Sequence, residues 1–310
     1  MRVWIVEISD FLPDIDGGNR LYRAGMLANA LVDNGHHVKW WSSTFNHQRR
    51  RQRFYDSTTI DLKDGYQLRL LYGPGYKHSV SFNRLIHNRA VAREFSRETE
   101  EVGINEKPDI IYACLPTLEV SEQAVLYGFR HCVPVVVDIR ELWPDNYLTV
   151  FPHSARPLLR LFLKSEFSRA YRILHYATAI TASSPAYLDW GVKTGKRQGH
   201  ADDKWFPLGF AVNNETKGLS AKENSTSLPD GTKLPGDSFL ITFAGTFTSH
   251  VDYNTLLTVA HEFFNSSQKQ VQFLFIGDGD KGAFLRKQSK GLGNVHLPGW
   301  CEKAVVDQLA

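Results

Sequence analysis

Val3-Trp4-Ile5-Val6-Glu7-Ile8 opens the chain as an apolar run, and a loop from Ser9 to Asn19 carrying Pro13, Gly17 and Gly18 follows it. Leu21, Met26, Leu27, Ala30 and Leu31 then recur at near-helical spacing, Asn34-Gly35 supplies a C-cap, and His37–Trp41 is a second β-rich run. A helical period set between two short runs of β-branched and aromatic residues predicts strand, glycine loop, helix, strand. This is the opening of a Rossmann-like domain, and the fold class it predicts is α/β with a parallel sheet.

The alternation continues outward from there. Strands are predicted at Tyr66–Tyr72, Asp109–Ala113, Pro134–Asp138 and Ala179–Ser183, and helices at Asn83–Glu101, Thr117–Phe129 and Arg156–Ala177. The polar, basic stretch Phe45–Tyr66 reads as a loop with weak structure. Residues 211–238 are rich in Gly, Ser, Asn, Lys and Pro, a linker composition. A second alternation follows: strands Phe239–Ala244, Val271–Gly277 and Asn294–Leu297, with helices Tyr253–Phe264, Lys281–Lys290 and the start of another at Glu302–Leu309. The domains expected are 1–210, a linker 211–238, and 239–310. A doubly wound domain normally has about five or six strands, so the second is expected to be incomplete.

Composition sets the class. Of 310 residues 42% are hydrophobic and 22% charged, which suits a globular protein and excludes disorder or a fibre. The net charge of +3 does not by itself argue for nucleic acid, and neither zinc spacing nor an RNP motif is present. Cys114, Cys132 and Cys301 are odd in number and widely spaced, so no disulfide framework and no metal cluster is expected, and a reducing cytosol fits. The N-terminal run reads as a strand rather than a signal peptide, and no apolar run of membrane-spanning length occurs. Charge is uneven: His36–Arg97 holds twelve Lys and Arg against four Asp and Glu, centred on Arg49, Arg50, Arg51 and Arg53. Such a block is either a solvated face or a contact for an anionic partner, a membrane surface or a phosphate-linked acceptor. Arg156–Arg172, with Leu158, Leu159, Leu161, Phe162 and Leu163 among basic residues, is a second candidate for an interface, or an ordinary core-packing helix.

Ligands of open α/β sheets bind beyond the carboxyl ends of strands, which directs the search to post-strand loops. Gly17 and Gly18 would let backbone approach a substrate closely, although the dinucleotide spacing is absent. Asp138, Arg140 and Glu141, with Trp143 and Asp145, crowd the end of the Pro134–Asp138 strand. They are the candidate catalytic group: Arg140 for a phosphate or a neighbouring carboxylate, Asp138 or Glu141 for sugar hydroxyls, Trp143 for a sugar ring. The alternative is a structural salt-bridge network. In the second alternation the loop Gly245-Thr246-Phe247-Thr248-Ser249-His250 and the turn Gly277-Asp278-Gly279-Asp280 suit a diphosphate held by backbone amides. Ser183-Ser184-Pro185 reads mainly as the cap of a following helix. Esterase, Walker and zinc-protease signatures are absent.

Val135–Pro144 resembles the Arg-acid-Leu-Trp-Pro signature of a subgroup of the family 4 glycosyltransferases of bacterial O-antigen, capsule and exopolysaccharide assembly. Phe239–Thr246 with Asp252–Ala260, Phe273–Gly279 and Asn294–Gly299 look like that family's nucleotide-binding landmarks. The resemblance implies the GT-B fold, two Rossmann-like domains facing a cleft. It implies a retaining transfer of sugar from a nucleotide-diphosphate sugar to a glycan or lipid-linked acceptor, without cofactor or catalytic metal, on the cytoplasmic side of the cell membrane. It places Gly17 and Gly18 near the cleft and Gly245, Thr246, His250, Gly277 and Gly279 on the donor side. Nucleic acid is not an implied partner; an anionic membrane surface is. The loop Gly245–Asp252 departs from the family in carrying no Arg or Lys, and Ala113-Cys114-Leu115-Pro116 stands where relatives often carry a His. The family's paired glutamates would fall beyond residue 310, so the chain is expected to be truncated and weakly active. The alternatives are a non-catalytic nucleotide-sugar-binding or scaffold relative and a GT-B nucleotide-sugar epimerase.

Overall fold

The computed structural model describes residues 1–16, 21–78, 81–149, 151–207, 228, 231–232, 238–248, 251–266, 268, 270–301 and 305–306. The chain divides into two compact units, Met1–Ala211 and Val212–Ala310. Most of residues 211–238, and most of the helix expected at Glu302–Leu309, lie outside the described residues.

The first unit runs β1 (Arg2–Val6), α1 (Arg23–Asp33), β2 (His37–Ser43), a small hairpin of β3 (Phe45–Asn46) and β4 (Arg51–Gln52), β5 (Thr58–Lys63), β6 (Tyr66–Leu71) and α2 (Phe82–Glu100). It continues with β7 (Ile110–Leu115), α3 (Leu118–His131), β8 (Val135–Ile139), α4 (Asp145–Thr149), α5 (Arg156–Phe162), α6 (Lys164–Tyr176), β9 (Ala179–Ala182), α7 (Pro185–Thr194) and β10 (Lys204–Trp205). The sheet order is β10-β9-β8-β7-β1-β2-β6-β5, parallel except for β5. Connections from β1 lead one way across the sheet and connections from β7 lead the other. The carboxyl ends of these two neighbours therefore form the topological switch point, where open α/β sheets bind ligands.

Alternation of side chains along each strand supplies both faces of the sheet. Trp4 and Trp41 point to one face, where they meet Phe95 of α2 and Tyr127 of α3; the Trp4 and Trp41 rings lie 5.1 Å apart, edge to face. Ile5 and Trp40 point to the other, against Ala24 and Ala28 of α1. Helices thus cover both faces, which a parallel sheet requires because its strands cannot face water.

Two sequence expectations need correction. The stretch Phe45–Tyr66 is ordered: it forms the β3–β4 hairpin and the edge strand β5, antiparallel to β6. Thr58–Lys63 alternates exposed and half-buried residues along a sheet edge, so its apolar signal is diluted to that of a loop. The helix expected over Arg156–Ala177 is interrupted at Leu163, giving α5 and α6. Ala170, Ile173 and Leu174 of α6 are buried, whereas α5 has no buried residue; its Leu158, Leu161 and Phe162 are 61%, 67% and 75% exposed. Packing anchors one segment and not the other.

The second unit contains β11 (Phe239–Ala244), α8 (Tyr253–Asn265), β12 (Val271–Ile276), α9 (Gly282–Gln288) and β13 (Val295–Gly299). Its described strands pair in parallel in the order β11-β12-β13. Phe247, Tyr253, Leu257, Ala260, Phe273, Phe275 and Leu285 form the core on one face, and Leu228, Leu274 and Ile276 begin one on the other. No helix among the described residues is long and apolar enough to cross a membrane.

Candidate functional site

The switch point of the first unit holds a buried charged cluster. Arg140, just beyond β8, donates from Nη1 to both Asp10 oxygens at 3.0 and 2.9 Å, from Nε to Asp138 Oδ2 at 3.1 Å, and from Nη2 to the Cys114 sulfur at 3.2 Å. Asp138 is wholly buried; its other oxygen accepts from the Thr181 hydroxyl at 2.7 Å and lies 3.5 Å from Arg23 Nη2. Asp10 also accepts the backbone N–H of Ala24, so a carboxylate of the chain itself caps the first turn of α1, where the helix dipole favours an anion. Glu7 completes the group, accepting the N–H groups of Ser9 and Asp10 at 2.7 to 3.0 Å.

Three acids therefore share two guanidiniums away from water, and electrostatics responds. Burial, reinforced by the charge on Asp10, raises the Glu7 carboxyl from its ordinary value to about 7. Burial likewise pushes the Cys114 thiol well above its usual range, so it is no nucleophile at neutral pH. Burial also works against the charge of Arg140, yet the carboxylates around it, Asp10 and Asp138 in direct contact, hold it protonated. The arrangement is a charge-assisted brace across the tips of β1, β7 and β8, with one carboxyl poised to exchange a proton near neutrality.

Of the candidate catalytic group, the structure brings Asp138 and Arg140 together and leaves Glu141 exposed at the surface. Both Asp138 oxygens are engaged with the protein. Trp143 packs on the hydrophobic core and edge-on against Tyr147, with centroids 5.6 Å apart, so much of its ring is used internally. Asp145 turns to Trp190 Nε1 at 3.0 Å and to Arg160 at 3.4 Å. Sequence reasoning passed over Glu7, Asp10, Arg23 and Thr181, and noted Cys114 only as standing at a post-strand position. Glu7 and Asp10 were legible in principle, as two acids three residues apart directly after the first strand.

A second cluster lies beyond β2 and β6. His87 of α2 contacts the Ser43 hydroxyl at 3.3 Å through Nε2 and accepts the Gly75 N–H at 3.2 Å through Nδ1; His47 bonds the Tyr76 hydroxyl. Burial lowers both imidazoles to about 4, leaving them neutral. Beside them Arg53 is consumed by the protein. Its side chain, 4% exposed, holds both Asp16 oxygens at 3.0 and 2.6 Å and the carbonyls of Ser43 and Phe45. Arg49 donates to the Asp16 carbonyl at 3.0 Å. The Arg49–Arg53 block therefore does not present four arginines to an anionic surface. Arg53 fastens the post-β1 loop to the β3–β4 hairpin, and Arg49, Arg50 and Arg51 remain exposed.

In the second unit Gly245, Gly277 and Gly279 converge where β11 and β12 end. The Gly245 N–H donates to the Ile276 carbonyl, the Phe247 N–H to that of Asp278, and the Lys281 N–H to that of Phe247, at 2.9 to 3.0 Å. Gly277 has φ +138°, and a Cβ there would stand 1.9 Å from the Gly245 carbonyl oxygen; at Gly279, φ +152°, it would stand 2.6 Å from that of Phe247. These glycines let two post-strand loops zip together. The amides of Gly277 and Gly279 are already satisfied, by Gly299 and by Asp278 Oδ1. Thr246 stays exposed beside them. Asp252 caps α8 by accepting from the N–H groups of Asn254 and Thr255 at 3.1 and 3.3 Å. Gly17, Gly18 and His250 lie outside the described residues.

The fold is that of the GT-B proteins. The chain is similar to HepE of Anabaena in complex with UDP, with a TM-score of 0.55 and 14% identity over 100% of this chain and 71% of that one. It is similar to HepE with UDP-glucose at a TM-score of 0.51, 13% identity and 100% and 71% coverage. WaaG, a glycosyltransferase involved in lipopolysaccharide biosynthesis, superimposes with a TM-score of 0.56, 12% identity, and 99% and 72% coverage. No protein-family model matches the chain, and no curated protein matches it.

Proposed function

We propose that the protein is a retaining, metal-independent glycosyltransferase that moves a sugar from a nucleotide-diphosphate sugar to a glycan or lipid-linked acceptor of surface polysaccharide, at the cytoplasmic face of the membrane. The observation that carries this reading is the likeness of nearly the whole chain to GT-B structures that hold UDP and UDP-glucose. In this reading Gly245, Thr246, Gly277 and Gly279 form the donor platform of the second unit, with Gly17, Gly18 and His250 as further contacts. Zipped loops give that platform rigidity. Departure of a nucleoside diphosphate builds negative charge, and a preorganised polar surface lowers that barrier without reorganising. Asp138 and Arg140 serve as positioning residues that hold the post-β1 loop and the start of α1, and Glu141 is the exposed carboxylate offered to acceptor hydroxyls. The protein itself supplies no cofactor; the nucleotide sugar is the co-substrate.

Calorimetric titration of the full chain with UDP, GDP, ADP and their sugar conjugates tests the reading. Binding of one nucleotide series, with sugar transfer only when a glycan or polyprenyl-linked acceptor is added, is expected. Turnover of the nucleotide sugar without acceptor would point to an epimerase, and binding without turnover to a scaffold. Failure of every nucleotide to bind sinks the proposal. A membrane surface is a further proposed partner, supported by α5, which exposes Leu158, Leu161 and Phe162 beside Arg156, Arg160 and Lys164. Loss of vesicle co-sedimentation in L158S/F162S is the expected sign.

A further inference from the structure

Beside α2 a cavity of 520 Å³ opens, lined by Arg89, Arg93, Arg97, Glu119, Glu122 and Arg169 among others. The charges around it are nearly all matched. Arg97 sits among Glu94, Glu98 and Glu101 at 2.7 to 3.8 Å. Arg169 and Arg172 both hold Glu122, and Arg169 also holds Glu166. Glu100 at the rim pairs with Arg130 at 3.4 Å. Glu119 accepts from Asn88 at 3.1 Å, and burial raises its carboxyl above the ordinary range, which favours its neutral form.

Two guanidiniums are left over. Arg89 and Arg93 are exposed, and no acid lies within ion-pair reach of either among the described residues. They stand one helical turn apart on the same face of α2, an arrangement in which like charges repel. A helix that pairs its neighbouring arginines yet keeps these two unmatched has room for an external anion. Guanidinium forks pair bidentately with the oxygens of phosphate, as they do with those of a carboxylate. Phe82 and Ile86, 84% and 55% exposed, continue the same face toward the N-terminus of α2. An apolar portion of the ligand would find a surface there.

We propose that Arg89 and Arg93 form a phosphate-binding site at the rim of this cavity, separate from the donor platform and independent of the function proposed above. The ligand is a phosphate mono- or diester, met either as a free solute or as a lipid headgroup.

The test uses the full chain and four proteins: wild type, R89Q/R93Q, R89K/R93K, and K287Q/K290Q as a control that loses the same charge from an exposed part of the second unit. Each is titrated with inorganic phosphate, followed by phosphorus NMR line width. Each is then sedimented with phosphatidylcholine vesicles, alone or with about one third phosphatidylglycerol. R89Q/R93Q is expected to weaken binding about tenfold, with K287Q/K290Q unchanged and the lysine pair in between. The loss falls on free phosphate if the ligand is a solute, and on anionic vesicles alone if it is a headgroup. The melting temperature of R89Q/R93Q should match wild type, since both side chains are exposed; if it does not, R89K/R93K against wild type decides. Binding that is absent from wild type in both arms, or equal in wild type and R89Q/R93Q, overturns the site. Nucleotide-sugar binding is measured alongside and should be unaffected by the pair, so failure here is distinct from failure of the transferase reading.

Discussion

Glu7→Gln isolates the proton held at the switch point. Glu7 is 5% exposed, and burial followed by the charge of Asp10 lifts its carboxyl from 4.5 to about 7. The folded protein therefore keeps a proton that the unfolded chain releases above 4.5, so unfolding in that window frees a proton. Stability is full below the unfolded value, declines as pH rises toward about 7, and is level beyond it. At about 1.4 kcal/mol per pH unit, the rise corresponds to a ceiling of about 3 kcal/mol. Asp10 and Arg140 share the response, so a measured effect of roughly 1–3 kcal/mol is expected. Gln carries no charge at any pH, and its carbonyl can still accept from Ser9 and Asp10. E7Q should thus equal wild type near pH 4 and exceed it by that amount near pH 8. Urea unfolding followed by tryptophan fluorescence reports on the right unit, because Trp4, Trp40 and Trp41 are buried there. A difference between E7Q and wild type that does not change with pH, or a loss of stability by E7Q near pH 8, would refute the account.

Gly277→Ala should cost roughly 3 kcal/mol or more, because a new Cβ meets the Gly245 carbonyl; Gly291→Ala, with φ +94° but open space around it, should cost only about 1–2 kcal/mol from backbone strain. Thermal melts of the two variants compare crowding with strain directly, and equal losses would contradict the zipped-loop explanation. Arg53→Ala strands Asp16 and should cost roughly 3–5 kcal/mol near neutral pH. Although burial pushes the Asp16 carboxyl up, hydrogen bonds from Arg53, the Leu12 N–H and Asn46 hold it below 3.8. The Arg53 contribution is therefore present above that value and fades as pH falls through the lower folded one, which denaturation at acid pH would reveal. Ser184→Ala removes the cap that receives the Tyr187 N–H on α7 and should cost roughly 0.5–1 kcal/mol by urea unfolding.

Legibility followed burial. The β1–α1–β2 opening and the strands β7, β8 and β12 stood out because the apolar residues of these strands are nearly all buried, and β11 stood out by its apolar run alone, since none of its residues is buried. The edge strand β5 did not, because half its side chains face water. Ser184 was readable as a cap because capping is local to three residues. The break at Leu163 was not, because it depends on which of two adjacent segments finds a partner to pack against.

The candidate site divides along the same line. Asp138 and Arg140 were visible as an acid and a guanidinium at a strand end, and Gly245, Gly277 and Gly279 as glycines in post-strand turns. The period of apolar residues and the placement of glycine are local quantities, and the sequence alone determined from them an α/β chain whose chemistry gathers at strand ends. Tertiary structure alone decided that Arg140 is claimed by Asp10, 130 residues away in the chain, and that Glu141 faces out. It also decided that Gly277 and Gly279 serve the Gly245 and Phe247 backbone, and that Arg53 is spent on Asp16 while Arg89 and Arg93 are spared. A charge or a glycine shows its partner only after the chain closes, because Coulomb and contact energies depend on distance in space and not on separation in sequence.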